Sequence, residues 1–149
     1  MKKKESFVSG RAYLIEKPDS ILIPLALCRA SCGFPSPADD YIESVIDLNQ
    51  ELIKHPFSTF LVRAEGDSMI DAGILHESVL IVDRMIETKS GDVVIARIGD
   101  EMCVKELFIT NESKVLLLPK NENYKPIEIT ADMDFEVWGK VVCSITKFE

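Results

Sequence analysis

A chain of 149 residues fits one domain and buries roughly 68–70% of the surface its unfolded form exposes, so a core forms without disulfides or metals. Hydrophobic residues make up 46% and charged residues 28%, the balance of an ordinary globular protein. With 17 Lys and Arg against 25 Asp and Glu the formal net charge is −8, which argues against a protein that grips phosphate backbones directly. The four cysteines, Cys28, Cys32, Cys103 and Cys143, form no C-x-x-C pair and have no histidine cluster nearby. Reduced thiols are therefore expected, with no zinc site and no cofactor.

The amino end has the outline of a signal peptide: Lys2, Lys3 and Lys4, an apolar run at 21–28, and Ala30-Ser31-Cys32. Pro24 interrupts that run, Glu16, Lys17, Pro18 and Asp19 separate it from the lysines, and Arg29 intrudes before the cysteine. A translocated segment is continuous and uncharged. No later stretch reaches the ~20 apolar residues that span a bilayer, and the expected location is the cytoplasm. Residues 1–32 read as an arm without helical period, with strand or loop at 8–17. Phe34-Pro35-Ser36-Pro37 breaks the chain, since proline favours an extended or turning path.

Asp47 can cap a short helix, with Gln50 at the capping-box position and Leu48 and Leu52 one turn apart; His55-Pro56 should end it. Strands follow, at 59–64, 79–82, 93–98 and 101–108, the last two joined by a Gly99-Asp100 hairpin turn. Further strands are expected at 115–118, 127–129 and 135–145, with a bulge marked by Gly139. Many short strands at this spacing predict a mostly β, barrel-like or sandwich-like domain.

Ser68, in Gly66-Asp67-Ser68-Met69, sits on a glycine-flanked turn whose N–H groups could face an attacked carbonyl. A serine hydroxyl needs a base. His55 and His76 have no compelling orienting carboxylate and read as ordinary surface residues. Lysine serves where burial leaves its amine neutral. Strand alternation puts Cys103, Lys105 and Leu107 on one face, and Met102, Val104 and Glu106 on the other. Lys105 thus has apolar neighbours. Taken singly, however, it also fits an edge-strand lysine in solvent, and Gly-Asp-Ser is common turn chemistry.

Taken together, the segments carry more. Gly66-Asp67-Ser68-Met69-Ile70-Asp71, Leu80-Ile81-Val82-Asp83, Gly91-Asp92-Val93-Val94-Ile95-Ala96 and Val104-Lys105 resemble the LexA/UmuD family of self-cleaving serine peptidases. Ile46-Asp47-Leu48-Asn49-Gln50 and Cys32-Gly33-Phe34-Pro35-Ser36-Pro37 resemble the UmuD branch. The resemblance runs from Cys32 to about Lys147. Glu106 departs from it, standing where a second basic residue would be expected. The resemblance implies Ser68 as nucleophile, Lys105 as general base, Cys32-Gly33 as the bond cut, and the N–H groups of Ser68 and Asp67 as oxyanion donors. Gly33 suits a bond that must approach a serine closely, and Cys32 reads as a small apolar side chain.

It also implies a boundary, with residues 1–32 an arm removed by self-cleavage and 33–149 the peptidase-like β domain. About thirty residues before the bond are too few for a three-helix DNA reader. A UmuD-like protein is therefore favoured over a LexA-like or phage-type repressor fragment, and sequence-specific DNA binding is not expected. The implied partners are a second copy in a homodimer, a RecA filament on single-stranded DNA, and a UmuC-like Y-family polymerase in error-prone translesion synthesis during the SOS response. A type I signal peptidase shares the Ser-Lys pair but needs a membrane anchor. A non-cleaving polymerase accessory protein is the remaining alternative.

Overall fold

The computed structural model describes residues 20–26, 30, 32–34 and 42–148, together with the backbone of two earlier strands. The chain divides into two compact units, Met1–Phe57 and Ser58–Glu149. In the first, β1 (Glu5–Val8) pairs antiparallel with β2 (Arg11–Leu14), and β3 (Leu22–Ala26) with β4 (Ile42–Asp47). Helix α1 (Leu48–Leu52) follows directly. The Asp47 carboxylate caps it, accepting the N–H groups of Asn49 and Gln50 at 3.0 and 3.4 Å. The Gln50 amide turns back as expected but donates to the Asp47 carboxylate, at 3.1 Å, not to its backbone. The Ser20 hydroxyl and these donors hold the Asp47 carboxyl below the usual range. The helix stops three residues short of His55-Pro56, because Ile53 is already extended.

The second unit is one antiparallel sheet of seven strands. In chain order they are β5 (Thr59–Arg63), β6 (Val79–Asp83), β7 (Val93–Ile98), β8 (Glu101–Ile109), β9 (Val115–Leu118), β10 (Ile127–Ile129) and β11 (Phe135–Ile145). In space the order is β10-β9-β8-β7-β11-β6-β5, the last strand returning between β7 and β6. Gly99, in the left-handed region at φ 60°, turns β7 tightly into β8. This is, among the described residues, the mostly β fold with one short α-helix that the sequence predicts. Among the described residues, no helix is long and apolar enough to cross a membrane.

Both faces of this sheet carry core. Ile95 joins Ala64, Met69, Ile74, Leu80 and Val82 in one cluster, while its neighbours Val94 and Ala96 join Leu107 and Leu117 in another. Alternation sends successive β7 side chains to opposite faces, so a central strand of continuous Val, Ile and Ala is buried on both. Strand β11 changes allegiance along its length. Phe135 and Val137 pack on the second cluster, Trp138 and Val141 on the first. The switch is made by a register shift between Val137 and Gly139, where one extra residue reverses the alternation. Gly139 is required there for space: a Cβ would lie 2.7 Å from Val82 Cγ1 and 3.3 Å from the Asp83 carbonyl oxygen.

Candidate active site

The Ser68 turn joins β5 to β6 and is fastened at both ends. Gly66 enters it at φ 83°, a conformation that costs glycine little and other residues more. Met69 is buried in the first core cluster, which anchors the residue after the serine. Ile70 N–H donates to the Asp67 carbonyl at 3.1 Å, and a short 3-10 turn, Ile70–Ala72, closes at Gly73 in the left-handed region. The serine is thereby held at the lip of an open cleft of about 350 Å³, lined by Val62, Ala64, Met69, Val104 and Lys105 among others.

Lys105 reaches the same place from β8. Its backbone pairs with Val94 of β7, and the residue is 8% exposed. The Nζ atom lies 2.8 Å from Ser68 Oγ and donates to the Val104 carbonyl at 2.9 Å. Burial pushes the Lys105 pKa below the ordinary lysine range, opposed to a lesser extent by the neighbouring Cys103. Burial likewise pushes the Cys103 thiol pKa up. A hydroxyl in hydrogen-bond contact with an amine inclined to neutrality is a pair between which a proton can move. Glu106, on the other face by alternation, pairs instead with Lys120 at 2.8 Å.

Two sets of contacts to this turn were not anticipated. His76, read from sequence as an ordinary surface residue, is exposed, yet its Nδ1 accepts the Gly66 N–H at 3.1 Å. The segment after β9 also reaches across. Lys120 N–H donates to the Ser68 carbonyl at 2.8 Å, and Asp71 N–H donates to the Lys120 carbonyl at 2.9 Å. The Asn121 side-chain amide donates to the Asp67 carbonyl at 3.0 Å, and the Tyr124 hydroxyl donates to the Asp67 carboxylate. That last bond pushes the Tyr124 pKa up. The sequence signal available for these residues is only the polar Asn121-Glu122-Asn123-Tyr124 run, which any surface loop can have.

The structure thus brings Ser68, Asp67 and Lys105 into one site within the second unit. Cys32 and Gly33 belong to the first unit and are exposed. Among the described residues, no group of His, Cys, Asp and Glu side chains is placed to hold a metal ion. The N–H groups of Ser68 and Asp67 donate to no other group among the described residues.

Residues 24–142 match the Peptidase S24-like family. Over 122 residues the chain is 38% identical to a LexA repressor of Stenotrophomonas maltophilia, a match covering 82% of this chain and 57% of that protein. Protein ImpA of Escherichia coli is 46% identical over 91 residues, 61% of this chain and 63% of the relative. The chain therefore spans less than two thirds of either protein. Protein SamA of Salmonella typhimurium is 36% identical over 132 residues, 89% of this chain and 91% of the relative.

Proposed function

Since the chain belongs to the Peptidase S24-like family, we propose that it is a UmuD-like serine peptidase that cuts its own Cys32-Gly33 bond with Ser68 and Lys105. The observation that carries the reading is the 2.8 Å contact between Ser68 Oγ and the Nζ of a buried lysine. Neutral Lys105 takes the hydroxyl proton as Ser68 Oγ attacks the Cys32 carbonyl carbon. The resulting oxyanion accepts hydrogen bonds from the N–H groups of Ser68 and Asp67. Lys105 then gives its proton to the Gly33 nitrogen, which leaves as an amine, and an ester joins Ser68 to Cys32. Water, deprotonated by Lys105, hydrolyses that ester and frees residues 1–32 from residues 33–149.

The same reading assigns the biology. The protein is a cytoplasmic homodimer of the SOS response, cleavage is stimulated by RecA on single-stranded DNA, and the shortened form serves a UmuC-like translesion polymerase. An irreversible cut is a switch that needs no external substrate. The net charge of −8 agrees with action through proteins, not through bare DNA. The 46% identity to protein ImpA, against 38% to the LexA repressor, supports the UmuD-like branch.

The test is incubation of the purified chain with RecA, nucleotide and single-stranded DNA, followed by mass spectrometry. The expected products are residues 1–32 and 33–149 and no others, with Ser68→Ala uncut. Cutting elsewhere, or cutting in folded Ser68→Ala protein, overturns the mechanism. Tight binding to a specific operator in a gel shift would favour a repressor instead.

A further inference from the structure

We infer that Asn121 is a positioning residue that aims the Ser68 N–H, the donor to the oxyanion; the inference rests on the self-cleavage reading above. The carbonyl of Asp67 and the N–H of Ser68 belong to one rigid, planar unit and point in opposite directions from it. Whatever fixes the carbonyl oxygen therefore fixes the direction of the N–H. The Asp67 oxygen accepts from Ile70 N–H at 3.1 Å and from Asn121 Nδ2 at 3.0 Å, so that both its lone pairs are used. The next plane is held as well, through the bond from Lys120 N–H to the Ser68 carbonyl at 2.8 Å. Two successive peptide units around the nucleophile are thus oriented by two successive residues of another loop.

The Asn121 amide is itself set before it acts. Its Oδ1 accepts the Asn123 N–H at 3.0 Å, and its backbone carbonyl accepts the Tyr124 N–H at 3.1 Å. With the oxygen committed to Asn123, the nitrogen is the atom turned toward Asp67, and the orientation of the amide follows from its partners. Tyr124 contacts the same turn differently. Its hydroxyl meets the Asp67 carboxylate, a side chain that can swing without turning the peptide plane. The two residues can therefore be separated by experiment. Because the oxyanion exists only on the reaction path, a mis-aimed donor slows the chemistry and leaves the Ser68–Lys105 proton exchange alone.

The experiment measures the first-order self-cleavage rate of the full chain against pH, without RecA, for the unmodified protein, Asn121→Asp, Asn121→Ala and Tyr124→Phe. Asn121→Asp keeps the acceptor for Asn123 and replaces the donor with a charged oxygen that repels the Asp67 carbonyl, so its plateau rate remains informative if Asn121→Ala melts early. The expected result is a plateau rate lower by roughly tenfold to hundredfold for both Asn121 variants, below the hundredfold to thousandfold loss of a whole oxyanion donor. The pH midpoint of Asn121→Ala stays where the unmodified chain has it, and Tyr124→Phe falls by no more than about threefold, as befits one side-chain hydrogen bond off the reaction path. A plateau unchanged in folded Asn121→Asp overturns the inference while leaving self-cleavage intact. So does a shifted midpoint in Asn121→Ala, or an equal loss in Tyr124→Phe, since either assigns the effect to general loop packing. An unmodified chain that cuts at Cys32-Gly33 neither at any pH alone nor with RecA, nucleotide and single-stranded DNA overturns the self-cleavage reading first, and this inference with it.

Discussion

The two compact units use the same apolar residue types in opposite ways. In the first, Leu22, Ile42 and Val45 are 61, 64 and 58% exposed, and no described residue is buried. In the second, Leu80, Val82 and Val94 are fully buried. A two-stranded ladder pairs its backbone but brings no second layer to cover its side chains, whereas a seven-stranded sheet with core on both faces over-determines whatever is mounted on it. The difference suits the proposed chemistry. A proton-transfer contact such as Ser68–Lys105 needs rigid support, and a bond that is to be cut needs to be available to a site.

The sharpest way to break that contrast is at Lys105. Lys105→Met is expected to stop self-cleavage, a loss of at least about a thousandfold for a removed base. It should nevertheless leave the melting temperature at or above that of the unmodified chain. The sign follows from linkage. The folded-state pKa of Lys105 lies below its unfolded value, so the folded chain binds fewer protons between the two. The buried amine therefore opposes folding at pH below its folded pKa, and the cost fades as pH rises through the unfolded value. A strongly lowered melting point would mean that the lysine supports the sheet and is not a strained functional group. The same shift predicts that spontaneous cleavage speeds up with rising pH and levels off below the ordinary lysine range. A flat profile through that range counts against Lys105 as the base.

Smaller effects test the packing contrast itself. Leu80→Ala should cost about 2–5 kcal/mol in chemical denaturation, and Leu22→Ala within about 0.5 kcal/mol; similar losses would erase the distinction between the units. Gly139→Ala should cost about 1–3 kcal/mol, because the new methyl meets Val82 in a filled core. His76→Ala is expected to cost about 1 kcal/mol, for one hydrogen bond to the Gly66 N–H at an exposed position.

Most of the second unit's strands were legible because their signal is local. A period of two, β-branched residues and glycine-bearing turns locate 93–98 and 101–108 without reference to the rest of the chain. The bulge at Gly139 was legible for the same reason. Lys105 was legible in part: alternation gave it apolar neighbours, but whether that face met solvent or core depended on Leu117 of β9, which packs with Leu107 from the next strand. The roles of His76, Asn121 and Tyr124 were not legible. Each acts through one directed hydrogen bond to a turn 10 to 57 residues away, and a single polar side chain has no period to betray it.

By itself, the order of residues determined the β character, the helix cap at Asp47, the serine turn and the family resemblance, since all of these depend on neighbours along the chain or on a set of motifs in order. Tertiary structure alone decided that Ser68 and Lys105, 37 positions apart, stand 2.8 Å from one another, and that the 120–124 segment grips the serine turn. The physical reason is that a proton-transfer distance, a lysine's desolvation and the tilt of a peptide plane are set by packing across strands. No local propensity contains them.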